Sequence, residues 1–197
     1  MQVDGAEQNT IDEGVPFVIG NEAQPKVVAW QTTADADLIV AEQNGYRRLP
    51  QPISHRRTIR FDQRRRFWLV QDELAGEGTH EFSFRFHLAP GLETKARPDG
   101  SVEVYDKMNG ARLLIVCQKP DGKDGPAGQF EMKAAFEPRF SSRDYGEKEP
   151  SVSVCWAVKT PTPFSAQFAL IPVRSEENNA DRLSSTIGNR QSTIDNN

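Results

Sequence analysis

Apolar and polar side chains alternate with a period of two along much of this chain. The clearest run spans residues 81–88, where phenylalanine and leucine occupy the even positions and polar side chains the odd ones. This period is typical of a β-strand with one buried face. Turn residues such as Asn44-Gly45, Pro90-Gly91 and Pro98-Asp99-Gly100 separate the runs. No long stretch has a helical period, so the pattern predicts an all-β fold.

Short strands at regular spacing with turn signals between them favour an antiparallel β-sandwich. We expect one domain over residues 1–173, with a surface loop at Lys119–Gly128 and a disordered polar tail at 174–197, where aromatic residues are absent. The predicted strands are Lys26–Thr33, Leu38–Glu42, Ile53–Asp62, Phe67–Glu73, Thr79–Leu88, Ser101–Tyr105, Ala111–Gln118, Gln129–Phe136, Ser151–Lys159 and Phe164–Val173.

Composition narrows the class of protein without identifying it. The formal net charge of -4 gives no reason to expect a nucleic-acid partner. No apolar run reaches transmembrane length, and the first ten residues, MQVDGAEQNT, lack the features of a signal peptide. Cys117 and Cys155 are the only cysteines and both fall in apolar runs, so we expect two free core thiols.

His55 and Arg57 are the most informative polar residues. By alternation they share a strand face with Ile53, Ile59 and Phe61. Polar groups at one end of an apolar face should be hydrogen-bonded or should line a cleft. Two alternatives follow: a structural His/Arg pair, or a site where the arginine fork binds an anionic ligand.

The remaining basic residues divide by position. Arg64, Arg65 and Arg66 are expected at a solvated hairpin tip. Arg56 and Arg60 lie on the face opposite Ile59, where they would bind acidic polysaccharide or protect a sheet edge from aggregation.

The segment Gly45-Tyr46-Arg47-Arg48 supplies two further candidates. An exposed Tyr46 beside Arg47 would suit a sugar-acid ligand, whereas the alternative is a turn with Tyr46 packed on the sandwich. The candidate substrate-binding residues are therefore Tyr46, Arg47, His55 and Arg57. His80 and His87 should point to opposite sheet faces, which argues against a common metal site for that pair.

Several segments, taken in order, resemble the C-terminal region of bacterial heparinase II/III-like proteins. The pieces match that family's V-D-G-x-x-Q, H-x-R, D-x-L-x-G-x-G-x-H, F-H-L-x-P-G and S-x-x-Y-G patterns. They are Val3–Gln8, His55–Arg57, Val70–His80, Phe86–Gly91 and Ser141–Gly146.

The resemblance implies a two-part polysaccharide lyase that cleaves uronic acid polymers by β-elimination. In such proteins a helical toroid carries most catalytic groups and a β-sandwich closes the cleft. The sandwich contributes a histidine from an H-N-T motif just before V-D-G, a position ahead of the first residue here. No catalytic residue is therefore assigned, and the chain alone is expected to lack lyase activity.

The resemblance also bears on cofactors and compartment. Some relatives hold a structural metal in the sandwich, but Thr58 stands at the expected ligand position, so no metal or other cofactor is predicted. Relatives suggest a periplasmic or secreted full-length protein, although this chain carries no export signal of its own.

Three interpretations remain at the level of sequence. The chain is the sandwich half of a lyase whose partner is the helical toroid domain, a non-catalytic acidic-polysaccharide-binding or scaffold module, or a structural sandwich with a protein partner. A short first strand at Val3 would expose a sheet edge, so we also expect a homodimer or poor solubility.

Overall fold

The fold consists of two antiparallel sheets packed face to face. The computed structural model describes residues 1–173 except 13, 16–17 and 119–131. A single 3-10 helix, Gly45–Arg48, accompanies the strands in this part of the chain. The strands are β1 (Gln2–Val3), β2 (Lys26–Thr32), β3 (Ala36–Gln43), β4 (Ile53–Asp62), β5 (Phe67–Gly76), β6 (Thr79–His87), β7 (Leu92–Ala96), β8 (Val102–Asp106), β9 (Arg112–Gln118), β10 (Ala134–Ser141), β11 (Glu149–Pro161) and β12 (Phe164–Val173).

The two sheets differ in width. The small sheet has four strands in the order β1-β6-β11-β10, and the large sheet has eight in the order β2-β3-β4-β5-β12-β9-β8-β7. Strands β2 to β5 form a meander, and β12 joins it to β9 by pairing with both β5 and β9. This arrangement confirms the predicted antiparallel β-sandwich. No helix in the described ranges is long and apolar enough to cross a membrane.

An aromatic cluster fills the space between the sheets. The alternating phenylalanines of β6 face β11 and β12, because inward positions of a strand recur every second residue. Phe168 lies at the centre, with ring centroids 5.5 Å from Phe84, 5.1 Å from Phe86 and 5.4 Å from Trp156. Trp156 and Phe168 are fully buried. The strand predicted from its phenylalanine pattern is therefore core, as expected.

Strands paired on both sides agree with their predicted bounds to within three residues. Strands β4 and β12 match their predicted bounds. Two edge strands differ: β7 was not predicted, and β10 runs over Ala134–Ser141 instead of Gln129–Phe136. An edge strand buries less of each side chain, so its apolar period is weaker; Phe136 is 40% exposed. Residues 129–131, the loop at 119–128 and the tail at 174–197 lie outside the described residues.

The large sheet extends past the small one on the β2 side. Trp30, Ile39, Ile59, Val70 and Phe168 are aligned across five neighbouring strands on the inner face. Phe168 is 0% and Val70 8% exposed, whereas Trp30 is 71% exposed. Burial therefore decreases outward along this row. We call the inner face of β2, β3 and β4 the overhang.

Replacing Phe168 by alanine should destabilise the protein strongly. The ring contacts three other aromatic side chains, and its removal would leave a cavity in the buried core. We expect a loss of about 3–5 kcal/mol in the free energy of unfolding, measured by urea titration. The matched control is Phe140→Ala on β10, where the ring is 61% exposed. A loss at Phe168 no larger than that at Phe140 would contradict the assigned core.

Candidate functional site

A fully buried carboxylate, Asp72, organises the polar cluster of the large sheet. Asp72 lies opposite Arg57 in the β4–β5 register and alternates with the inward-facing Val70 and Leu74. Sequence reasoning selected His55 and Arg57 but missed Asp72. The available signal was an acidic residue at an inward position of an otherwise apolar strand face, where a buried charge requires partners.

Asp72 accepts three hydrogen bonds. The His55 Nε2 lies 2.7 Å from Asp72 Oδ1, and Arg57 donates to both carboxylate oxygens, from Nε at 2.7 Å and from Nη2 at 3.0 Å. The guanidinium thus binds in the planar two-bond geometry that arginine offers to a carboxylate. The buried charge of Asp72 is paired within the protein.

The hydrogen bonds also assign the tautomer of His55. The Gly45 amide donates to Gln43 Oε1 at 2.6 Å, so the Gln43 amide nitrogen faces His55 Nδ1 at 3.2 Å. That nitrogen is a donor, so His55 Nδ1 must accept and Nε2 must carry the proton given to Asp72. His55 is therefore a neutral ring whose two nitrogens are both occupied by protein partners.

The ionisation of Asp72 reflects competing effects. Burial alone would raise the pKa of Asp72, but hydrogen bonds from His55 and Arg57, together with the Arg57 charge, outweigh it and hold the pKa below its usual value. Burial would lower the pKa of Arg57, and the bonds to Asp72 raise it instead. The pair is thus stable as two ions.

Tyr46 packs inside the sandwich next to this cluster. Its side chain is 1% exposed, and its hydroxyl donates to the Met1 carbonyl at 2.5 Å. Burial raises the pKa of Tyr46. Of the two sequence alternatives, the structure has the packed tyrosine. Arg47 is exposed, and its side chain makes no hydrogen bond or ion pair with the described part of the chain.

The 3-10 helix that carries Tyr46 is held from the other side by the segment after β1. Arg48 donates to the carbonyls of Glu7 at 2.6 Å and Gln8 at 3.2 Å. Gly45 is in such close contact that a β-carbon there would lie 1.8 Å from the Gln8 carbonyl oxygen. Glycine is required at this position for space.

A second His–Asp contact joins the residue after β1 to β6. The Nδ1 of His80 lies 2.7 Å from Asp4 Oδ2, and its Nε2 lies 2.9 Å from the Glu77 carbonyl. Both partners are acceptors, which is the arrangement that an imidazolium satisfies. Burial would raise the pKa of Asp4, but hydrogen bonds from the Glu81 amide and His80 lower it. His80 is buried beside Phe82 and His87 is exposed, as alternation predicted.

A polar groove of about 440 Å³ crosses the outer face of the small sheet. At its wall, Arg85 donates two hydrogen bonds to Glu137 and a third to Gln2. Arg139 also donates to Glu137, and these two arginines lower the pKa of Glu137 to about 2. The charges of this groove are therefore largely paired among its own residues.

In the described part of the chain, no group of three or more His, Cys, Asp or Glu side chains converges to form a metal site. Thr58 lies on β4 between Val40 and Gln71, on the sheet face opposite His55. Cys117 and Cys155 are both free thiols, as expected.

Replacing Asp72 by asparagine should remove the buried carboxylate that accepts hydrogen bonds from His55 and from the partly exposed Arg57. We expect a loss of about 1.5–3 kcal/mol in the free energy of unfolding at pH 7, the usual range for hydrogen bonds to a charged group. Because the folded pKa of Asp72 is lowered, its contribution is present above the unfolded value of about 3.9 and is lost as pH falls through the folded pKa. The difference between the two proteins should therefore shrink below about pH 4.

Glu42→Gln provides the matched control for this experiment. Glu42 pairs with Arg56 one register position away on the solvent face, and both side chains are more than 40% exposed. Its replacement should change stability little at any pH. A wild-type and Asp72→Asn difference that stays constant from pH 7 to pH 3 would contradict the assigned ion pair.

A family model and two solved structures that resemble this chain point to the same family. The family model for the heparinase II/III-like C-terminal region matches residues 1–186. The heparan sulfate lyase HepC from Pedobacter heparinus shares 15% sequence identity and a TM-score of 0.64, covering 78% of this chain and 22% of its own. The heparinase III BT4657 gene product shares 20% identity and a TM-score of 0.59, covering 76% of this chain and 21% of its own. No curated protein matches the chain.

The chain thus spans about a fifth of the length of these solved relatives, which share its sandwich fold. The motif pieces read from the sequence meet in space: Asp4 of Val3-Asp4-Gly5 contacts His80, and His55 and Arg57 contact Asp72. The match over residues 1–186 shows that the chain belongs to the heparinase II/III-like family and corresponds to its C-terminal region.

Proposed function

We propose that this chain is the supporting β-sandwich of a lyase that cleaves uronic acid polysaccharide by β-elimination, and that it does not catalyse the reaction alone. The proposed lack of activity of the chain alone rests on one observation. Both nitrogens of His55 and the hydroxyl of Tyr46 are buried and bonded within the protein. Neither side chain is free to exchange a proton with a substrate.

The reaction requires several groups in one place. A base removes the proton beside the uronate carboxylate, a positive or hydrogen-bonding group stabilises the developing charge, and an acid protonates the leaving oxygen. Arg57 could neutralise charge, but its fork is already bound to Asp72. The base and acid would come from the helical toroid domain of the full-length protein, which we propose as the partner of this sandwich.

The buried cluster would serve to position the start of the sandwich. A hydrogen-bond path runs from Asp72 through His55 and Gln43 to the Gly45 amide at the head of the 3-10 helix. Tyr46 in that helix then bonds to the carbonyl of residue 1. In the family pattern the H-N-T histidine lies just before Val3-Asp4-Gly5. Holding β1 in place would therefore hold the segment that reaches the catalytic cleft.

The purified chain should produce no unsaturated uronate from heparin, heparan sulfate or alginate. The measurement is the rise in ultraviolet absorbance that accompanies β-elimination. A complete lyase of this family, such as the Pedobacter heparinus heparan sulfate lyase on its own substrate, is the positive control. Clear turnover by the chain, lost in a Tyr46→Phe variant, would contradict the proposal.

A second candidate function is the binding of acidic polysaccharide without catalysis. It is favoured by the position of Arg57, whose side chain is 39% exposed although it is bonded to the buried Asp72. A guanidinium already fixed in orientation loses little freedom when an anion binds to its open side. The exposed Arg47 adds a second positive charge in the segment beside this cluster.

Binding of heparan sulfate or alginate should weaken as salt rises, because the attraction is between exposed charges. Arg47→Ala should reduce affinity by about tenfold or more, as expected for hydrogen bonds to a charged group. Arg64→Ala, at the hairpin tip between β4 and β5 where the side chain is 78% exposed, is the control and should bind as the wild type does. Equal losses at both positions in calorimetry would indicate only nonspecific attraction.

A further inference from the structure

We infer that Asn109 is a site of spontaneous deamidation, and that the fold protects the other Asn-Gly pair of the chain from the same reaction. The two pairs are Asn44-Gly45 and Asn109-Gly110. Asparagine followed by glycine is open to this chemistry, because glycine has no β-carbon to obstruct the approach of its amide nitrogen. The two pairs are alike in this respect, and their surroundings in the fold differ.

The reaction needs only water as a second reactant. The backbone nitrogen of the glycine loses its proton and attacks the side-chain Cγ of the asparagine. A bond forms between that nitrogen and Cγ, the bond from Cγ to the amide nitrogen breaks, and ammonia leaves with the proton. Water then opens the cyclic imide at one of its two carbonyls, which gives aspartate or isoaspartate.

Asn109 lies in the turn that joins β8 to β9. Asn109 and Gly110 are exposed, and the preceding Met108 is 93% exposed. The Asn109 Oδ1 accepts a hydrogen bond from the Ala111 amide at 2.8 Å. This is the local side-chain turn that asparagine favours, and it holds the side-chain carbonyl over Gly110. The same bond draws electron density from Cγ, so this carbon is more readily attacked.

The attacking nitrogen of Gly110 is bonded within the same turn. It donates to the Asp106 carbonyl at 2.8 Å. A β-carbon on Gly110 would meet no atom within 4 Å, so the residue lies in open space. Hydrogen bonds of an exposed turn open at a low cost in free energy, because no packed side chains have to move. The Gly110 nitrogen is therefore accessible through local opening.

Asn44-Gly45 is held instead by the polar network of the large sheet. The Gly45 amide donates to the buried Gln43 Oε1 at 2.6 Å. Gly45 is itself buried against the Gln8 carbonyl. The Asn44 side chain makes no capping hydrogen bond with the described part of the chain. Release of the Gly45 nitrogen therefore requires the disruption of packed structure, which costs more free energy than the opening of a turn.

Peptide mapping by mass spectrometry tests the inference. The folded chain is incubated at mildly alkaline pH, and conversion of the amide to an acid is followed at each site. Asn109 should react at least about tenfold faster than Asn44, the ratio given by a difference of about 1.4 kcal/mol in opening free energy. Asn109→Gln should lose the fast reaction, because its longer side chain would have to close a larger ring. Ammonia release gives an independent readout.

Incubation of the same chain in urea is the matched control. Unfolding removes the surroundings that distinguish the two pairs, so Asn44 and Asn109 should then react at similar rates. A ratio that persists in urea would assign the difference to local sequence and overturn the inference. Equal rates in the folded chain overturn it as well. So does an Asn109 that stays intact in the folded chain while both sites react in urea.

Discussion

A fully buried carboxylate cannot be tolerated without donors, and Asp72 therefore constrains the large sheet. Its three hydrogen bonds come from His55 and Arg57 on the neighbouring strand. A slip of one residue between β4 and β5 would turn these partners to the wrong face and leave buried charges unpaired. Apolar contacts stabilise several strand registers to a similar extent, whereas this ion pair stabilises one. The ion pair therefore favours one alignment of β4 and β5 within the meander from β2 to β5.

The same cluster connects the large sheet to the first strand of the small one. Hydrogen bonds connect His55 to Gln43, and Gln43 to the 3-10 helix. Tyr46 in that helix donates to the carbonyl of residue 1. Two residues later, Asp4 binds His80 and the Glu81 amide on β6. The short strand β1 is thus held by polar contacts on both sides. Its apolar contact, the buried Val3, could not provide this precision alone because hydrophobic contacts have no direction.

The two buried histidines differ in their hydrogen-bond partners. His55 faces one donor and one acceptor and is neutral, whereas His80 faces two acceptors. In both rings, each nitrogen is bonded to a protein atom, so neither presents a free nitrogen to solvent. The buried histidines and tyrosine of the sandwich are thus bonded within the protein. This arrangement is consistent with the supporting role proposed above. Exposed surfaces near this cluster include the Arg57 side chain, which is 39% exposed, and the overhang with Trp30, which is 71% exposed.

The sequence by itself determined the β-sandwich class, the central strands, the aromatic core of β6 and the divergence of His80 and His87, because alternation along a strand is a local property. It also identified the family from ordered motif pieces. It left Tyr46 undecided, missed Asp72 as a partner of His55 and Arg57, and misplaced β10. Only tertiary structure decided these points, because they depend on which strands pair and which segment covers a side chain. Those relations join residues far apart in the chain: local alternation marks Asp72 as an inward-facing charge but does not identify His55 and Arg57 as its partners.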